Sequence, residues 1–333
     1  MKRFCTAALL SAATLCGQAS VSGPASKYVF DPGTQTIRAI IGTPGSAYLG
    51  KSVVAGVHFG SVAPNGLSAI VVSGTVSDLI ADLTPSPPAL LPLVGAMDSP
   101  DQILWAQDSS GAVLFSSRTR SLQFVTQVSQ QPVVHSSVDL RALVSAPVST
   151  IDARRDRLPA SMVLLAIDPA AKMAVVAARA LGQSEVYLVQ NGQPPELLMN
   201  PESASAAAFA ADGSLYVVDG TAGLVWAVRT PSGNPQIQSL PAPQDGLGQP
   251  VAVAVEGNQL YLADSAVNQI RVYSLATLEQ IDGFHLDSAP STLEPFAATS
   301  FLVNARRKPA DPVLLLQTSP APSVIFIPAG ANQ

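Results

Sequence analysis

The sequence predicts an all-β chain folded as a β-propeller of six blades, with seven as the alternative. Three observations carry that prediction. Clusters of five to eight residues rich in Val, Leu, Ile, Tyr and Ala alternate with turn signals, and no segment sustains a 3.6-residue period. The 28 prolines and 23 glycines in 333 residues recur at strand spacing, which excludes a long coiled coil. A strand unit returns at intervals of 42 to 60 residues, the cadence of four-stranded blades, some with insertions. A mean hydropathy of +0.31 with only 12% charged residues excludes a disordered chain. After the first 16 residues no apolar stretch approaches the roughly 20 residues that span a bilayer, so no transmembrane span is expected in the mature chain.

At the amino terminus, Lys2 and Arg3 precede a run of apolar and small residues over 4–16. Gly17 and Ala19 fit the −3 and −1 positions of a cleavage after Ala19. Residues 1–19 are therefore expected to be a secretory signal, placing the mature protein in the periplasm or outside the cell. An ordinary helix is one alternative. A lipoprotein acylated at Cys16 is another, but Leu15 is large for the position before such a cysteine. Both cysteines, Cys5 and Cys16, fall in this segment. The mature chain would then hold no disulfide, thiolate metal site or cysteine nucleophile. It would carry 16 basic and 23 acidic residues, a formal charge of −7. Such a surface has no general attraction for nucleic acid.

Residues 20–27 read as a short leader and 28–333 as a single propeller domain. In 28–41, two strands flank a turn at Asp31-Pro32-Gly33 and resemble the outer part of a blade. The expectation is that Thr36–Ile41 pairs beside residues 323–328 and closes the ring, which would remove exposed sheet edges. The alternatives are a separate hairpin or the start of a seventh blade. Further turns are marked by Pro64-Asn65-Gly66, Ser109-Ser110-Gly111, Asp212-Gly213 and Gly257-Asn258. Residues 203–211 are alanine-rich, the best helical candidate, but merge into a strand pattern. The clearest repeat sets residues 212–219 against 256–264, with Tyr216 to Tyr261 and Asp219 to Asp264 each 45 apart. Taking Ile70, Leu114, Ala174, Tyr216, Tyr261 and Leu314 as equivalent gives spacings of 44, 60, 42, 45 and 53, hence six repeats.

Residues 260–273, with Leu260, Tyr261, Asp264, Asn268, Ile270 and Tyr273, resemble an NHL or YVTN-type propeller repeat, and residues 213–219 are similar. The resemblance covers two blades well, is marginal over 163–190 and close to absent in 50–140. It implies a toroid with a central channel, used for binding and sometimes for catalysis.

Three residues could sit at a channel mouth: Asp219, Asp264 and Asn268. Two carboxylates there could bind a cation or act as acid and base. The structural alternative, favoured by their equivalent positions in two repeats, is that each aspartate caps the following turn through backbone amides. Ser73, Ser116 and Ala177 hold roughly the same slot elsewhere, so no carboxylate ring forms. His58, His135 and His285 lie in three separate blades without ligand spacing. Trp105 and Trp226 read as strand packing. Two basic stretches are candidate docking loops for an anionic partner, on opposite faces: Arg154, Arg155 and Arg157, and Arg306, Arg307 and Lys308. Phosphate-loop, nucleophile-elbow, zinc-helix and calcium-loop motifs are missing, and no cofactor or metal is expected. The expected function is an exported, monomeric, non-catalytic binding or scaffold module, with an envelope or extracellular protein or an anionic polymer as partner. The alternative is a propeller enzyme, a lactonase-like hydrolase or quinone-dependent dehydrogenase, acting at the channel mouth.

Overall fold

The computed structural model describes residues 25–43, 46–144, 161–180, 183–240, 246–297, 299–305, 311–319 and 322–328. They form seven antiparallel sheets, taken in sequence order, set in a ring as the blades of a β-propeller. Blade 1 holds β1 (Ala25–Asp31), β2 (Thr36–Ile41) and β3 (Tyr48–Ala55). Blade 2 holds β4 (Phe59–Val62), β5 (Ala69–Ser73), β6 (Val76–Ile80) and β7 (Leu91–Pro92). Blade 3 holds β8 (Gln102–Trp105), β9 (Gly111–Ser116) and β10 (Ser121–Thr126), with β11 (Val133–Val134) and β12 (Val138–Asp139) both pairing β10. Blade 4 holds β13 (Ser161–Ile167), β14 (Met173–Ala180), β15 (Gln183–Gln190) and β16 (Glu196–Met199). Blade 5 holds β17 (Ala204–Phe209), β18 (Leu215–Asp219), β19 (Leu224–Arg229) and β20 (Gln236–Ser239). Blade 6 holds β21 (Pro250–Glu256), β22 (Gln259–Asp264), β23 (Gln269–Ser274) and β24 (Gln280–His285). Blade 7 holds β25 (Glu294–Ala297), β26 (Ser300–Leu302), β27 (Val313–Gln317) and β28 (Ser323–Ile327). β1 begins inside the stretch that reads as a leader, and the alanine-rich stretch at 203–211 forms β17.

The strand pattern follows from burial on both faces. In β18, Leu215 and Val217 pack toward blade 4, while Tyr216 and Val218 pack toward blade 6. In β22, Leu260 and Leu262 face blade 5, while Tyr261 and Ala263 face blade 7. A strand covered on both faces reads as a continuous apolar run instead of an alternating one. The core is correspondingly divided into seven apolar clusters, each filled by two successive blades. Hairpin turns carry the signals the sequence shows. Gly213 and Gly257 take left-handed backbone at φ +84° and +56° between the first two strands of blades 5 and 6, a conformation glycine adopts without a Cβ penalty.

Three expectations change. The ring has seven blades, not six. Blade 1 escapes the repeat because it has three strands, and the β2–β3 register shifts at two places around Arg38. Leu314 lies in the third strand of blade 7, not the second; in the short β26, Leu302 faces the next blade as Tyr261 does in blade 6, while Phe301 faces back onto Tyr261. The ring is not closed by an amino-terminal strand: Thr36–Ile41 pairs β1 and β3, and β28 pairs β27. Blades 7 and 1 instead meet face to face, with Val29, Ile40 and Leu49 packed on Val313, Leu315 and Ile327. Each blade is thus complete in one stretch of chain, and apolar burial joins the ends of the ring.

Candidate functional site

The first strands of neighbouring blades meet around the ring axis. Those of blades 2 to 7 line a central channel with a cavity of about 230 Å³. Its wall is built of residues such as Leu104, Leu165, Ala206, Ala208 and Val253, joined by Phe301 from β26. The inner strand of each blade pairs on one side only, so its inner edge also turns backbone amides and carbonyls toward this space. Several polar groups of the wall hold adjacent strands together. The Trp105 indole N–H donates to the Ser61 carbonyl at 3.3 Å, and the Ser205 hydroxyl donates to the Pro250 carbonyl at 3.0 Å. Among the described lining residues, Glu294 is the one ionisable group.

Asp219 and Asp264 lie toward the same face of the ring, paired with Ala204 and Pro250 at the starts of their inner strands. Neither lines the cavity. Asp219, 2% exposed, accepts from the N–H groups of Glu202 (2.8 Å), Ser203 (3.1 Å), Thr221 (3.2 Å) and Ala222 (3.1 Å). Asp264, 0% exposed, accepts from Gly248 (2.9 Å), Gln249 (2.9 Å) and Ala266 (3.2 Å). Each carboxylate therefore latches the chain entering its blade to the turn after the second strand. A bare carboxylate inside protein is costly, and these amide bonds offset that cost. Asn268 sits in the β22–β23 turn at φ +52°, and its carbonyl accepts from Leu286 N–H at 2.8 Å.

The same latch recurs in other blades with different residues, which single-sequence reasoning missed. In blade 3, Asp101 ahead of β8 accepts from Ser117 N–H. In blade 2, His58 Nδ1 accepts from Gly74 N–H at 3.0 Å. In blade 7, Thr292 Oγ1 donates to the Leu302 carbonyl and accepts from Ala305 N–H. His135 bridges blades 3 and 4, with Nε2 2.9 Å from Thr126 Oγ1 and Nδ1 2.7 Å from Asn191 Nδ2. His285 ends β24 and is exposed. Among the described residues no three His, Cys, Asp or Glu side chains are placed to hold a metal ion. Trp105 packs between blades 2 and 3, and Trp226 between blades 4 and 5.

The basic candidates Arg154, Arg155, Arg157, Arg306, Arg307 and Lys308 lie outside the described residues. A second, open groove has Arg118, Arg120 and Arg141 on its rim. Asp139 offsets Arg141 through a 2.6 Å ion pair, and the guanidinium holds that carboxyl down at a pKa of about 2.

No known family profile and no curated protein matches the sequence. Solved structures do match in fold. One, named only provisionally as a 6-phosphogluconolactonase from Bacteroides fragilis, is 11% identical with a TM-score of 0.58, over 91% of this chain and 95% of that one. Another, a protein of unknown function from Desulfotomaculum acetoxidans, is 12% identical with a TM-score of 0.55, over 92% of this chain and 100% of that one. At such identities the likeness concerns the fold alone.

Proposed function

We propose that the protein is an exported β-propeller that works by binding, not by catalysis, and that a small amphiphilic molecule binds in the central channel. The observation that supports this reading is the chemistry of the wall: apolar side chains, backbone polar groups at the strand edges and a single carboxylate. Small-molecule sites are concave, mostly apolar and oriented by a few polar groups. The cavity lies just below the roughly 300–1,000 Å³ usual for drug-sized ligands, so the occupant is small. Four of the acidic and histidine side chains considered for catalysis are engaged away from the channel: Asp219, Asp264 and His58 with backbone amides, His135 with Thr126 and Asn191. Blades 5 and 6 keep their NHL-like character in this reading, as builders of the ring and not as a signature of activity.

The test uses cyclohexylmethanol as a neutral probe, followed by ligand-observed NMR on the purified mature chain. Binding is expected in the wild type. Ala206→Phe or Ala208→Phe, which push a ring into the channel from half-buried positions, are expected to weaken it at least tenfold while circular dichroism stays unchanged. Binding that survives both substitutions would place the site elsewhere. Hydrolysis of a six-membered sugar lactone above the spontaneous rate would replace the binding reading with the enzymatic one.

A further inference from the structure

Blade 1 comes from one stretch of chain, as the others do, yet it holds three strands where blades 2 to 7 hold four or more. Its register shows which strand it lacks. Tyr28 pairs Ala39 as Tyr261 pairs Val272, Val29 pairs Arg38 as Leu262 pairs Arg271, and Asp31 pairs Thr36 as Asp264 pairs Gln269. The turns agree as well. Gln35 and Asn268 take φ of +53° and +52°, and Asp31 and Asp264 each accept from the amide two residues on, Gly33 at 3.1 Å and Ala266 at 3.2 Å. β1 is therefore the counterpart of β22, a second strand, and the place without a strand is the inner one. In blade 6 that place holds β21, which pairs the other edge of β22. Among the described residues β1 pairs β2 alone, and no residue of β1 lines the channel.

The edge left on β1 suits a strand. Residues 27–31 pair β2 without irregularity, whereas the pairing of β3 at the outer edge is twice irregular. A flat, unguarded edge is a template for another strand. Its flanks are apolar: Phe296 of β25 belongs to the cluster shared by blades 7 and 1, and Val62 of β4 packs on the cluster shared by blades 1 and 2. The inner strands of blades 5 and 6, Ala-Ser-Ala-Ala-Ala-Phe and Pro-Val-Ala-Val-Ala-Val-Glu, show that such a place takes small, apolar side chains. Removal of the leader after Ala19 leaves five residues, 20–24, ahead of β1. The shortest run from the start of an inner strand to the start of its second strand is six residues, 294–299.

We propose that blade 1 binds an extended segment of a partner protein, small and apolar in its side chains, as its inner strand, antiparallel to β1. Backbone hydrogen bonds to residues 27–31 supply the affinity, and alternate side chains set against blades 7 and 2 supply the specificity. This adds a peptide site beside the channel cavity and rests on the export reading only for removal of the leader.

The probe is the peptide of residues 250–256, capped at both ends, with two lysines added at its carboxy end for solubility. The protein is the chain beginning at Ser20, so that a failure of export is not read as a failure of the site. Calorimetric titration is expected to show saturable binding, with hydrogen exchange slowed across residues 27–31. Methylating the peptide's backbone nitrogens at Val251, Val253 and Val255 blocks one of its edges, and methylating those at Ala252 and Ala254 blocks the other. One set should weaken binding by roughly tenfold or more and the other far less, because a single edge meets β1. In a second protein, a copy of residues 250–258 is placed directly ahead of Ser26, so that the chain supplies the strand itself. Its melting temperature should rise and its peptide binding should vanish. Absence of saturable binding, equal weakening by the two methylated peptides, or binding that persists in the second protein would overturn the proposal. So would exchange across residues 27–31 that is already slow before peptide is added, which would put the chain's own residues in the gap. The cyclohexylmethanol measurement is independent of these, so the channel reading and this one fail separately.

Discussion

Burial is the main force on Tyr187 and Tyr261, whose phenols are pushed up to about 12. At Tyr187 the hydrogen bond to Glu185 adds to the effect, and at Tyr261 the charge of Glu256 does. The pH consequence follows from the direction. The folded state holds the phenolic proton more tightly than the unfolded chain, whose tyrosines ionise near 10. The stabilisation is therefore complete below about pH 10 and is lost as pH rises from there to about 12. Ultraviolet difference titration should show two tyrosines ionising only in the upper part of that window. Melting temperature should fall across it, and less steeply in Tyr261→Phe. At this scale the sequence was legible where a residue repeated. Asp219 and Asp264 read as turn builders because their positions are equivalent, and their amide bonds agree. Glu294 was not legible: its blade hides the repeat, since the second strand is only three residues long.

A blade is held as a unit by the latch between its incoming strand and the turn after its second strand. Removing a latch carboxylate leaves three or four part-buried backbone amides without that acceptor, each costing up to about 1–3 kcal/mol before local rearrangement or water recovers part of it. Asp264→Ala and Asp219→Ala should each destabilise the fold by about 3 kcal/mol, and the double variant should be close to additive because the latches share no partner. Urea denaturation measures this. A catalytic role would instead show as unchanged stability. Blade 1 explains why the sequence offers the seventh blade only as an alternative. Arg38, in β2, donates through Nε to the Gly50 carbonyl and through Nη2 to the Leu49 carbonyl of β3, while its Nη1 pairs with Asp31 at 3.1 Å. This network accompanies the register shifts between β2 and β3. Bulges break the period of two, so pattern counting sees a hairpin where the chain builds three strands. The same feature guards the outer edge of β3, since bulges and an exposed Lys51 both discourage edge pairing.

On the scale of the whole ring, low charge and high aliphatic content were the earliest signs of the architecture, and their cause is now specific. Each of seven sheets buries both faces against its neighbours, so most strand positions have no route to solvent. What composition could not reveal was how the circle closes, because closure depends on shape and not on a motif. Blades 7 and 1 use the same apolar packing as the other six interfaces. Leu315→Ala at the closing interface should therefore cost about 2–5 kcal/mol, the range for a buried leucine. Leu188→Ala between blades 4 and 5 should cost a similar amount, with one cooperative transition in both. A much smaller effect at Leu315 would mean that the ring is loosely joined there. A closed ring keeps the inner strands in fixed relation and so shapes the channel on which the functional reading depends. The most direct measurement is a crystal structure of the protein saturated with cyclohexylmethanol. The account predicts electron density for the ligand between the inner strands of blades 2 to 7, against Ala206, Ala208 and Phe301. Density at another surface, with the channel holding only water, would contradict it.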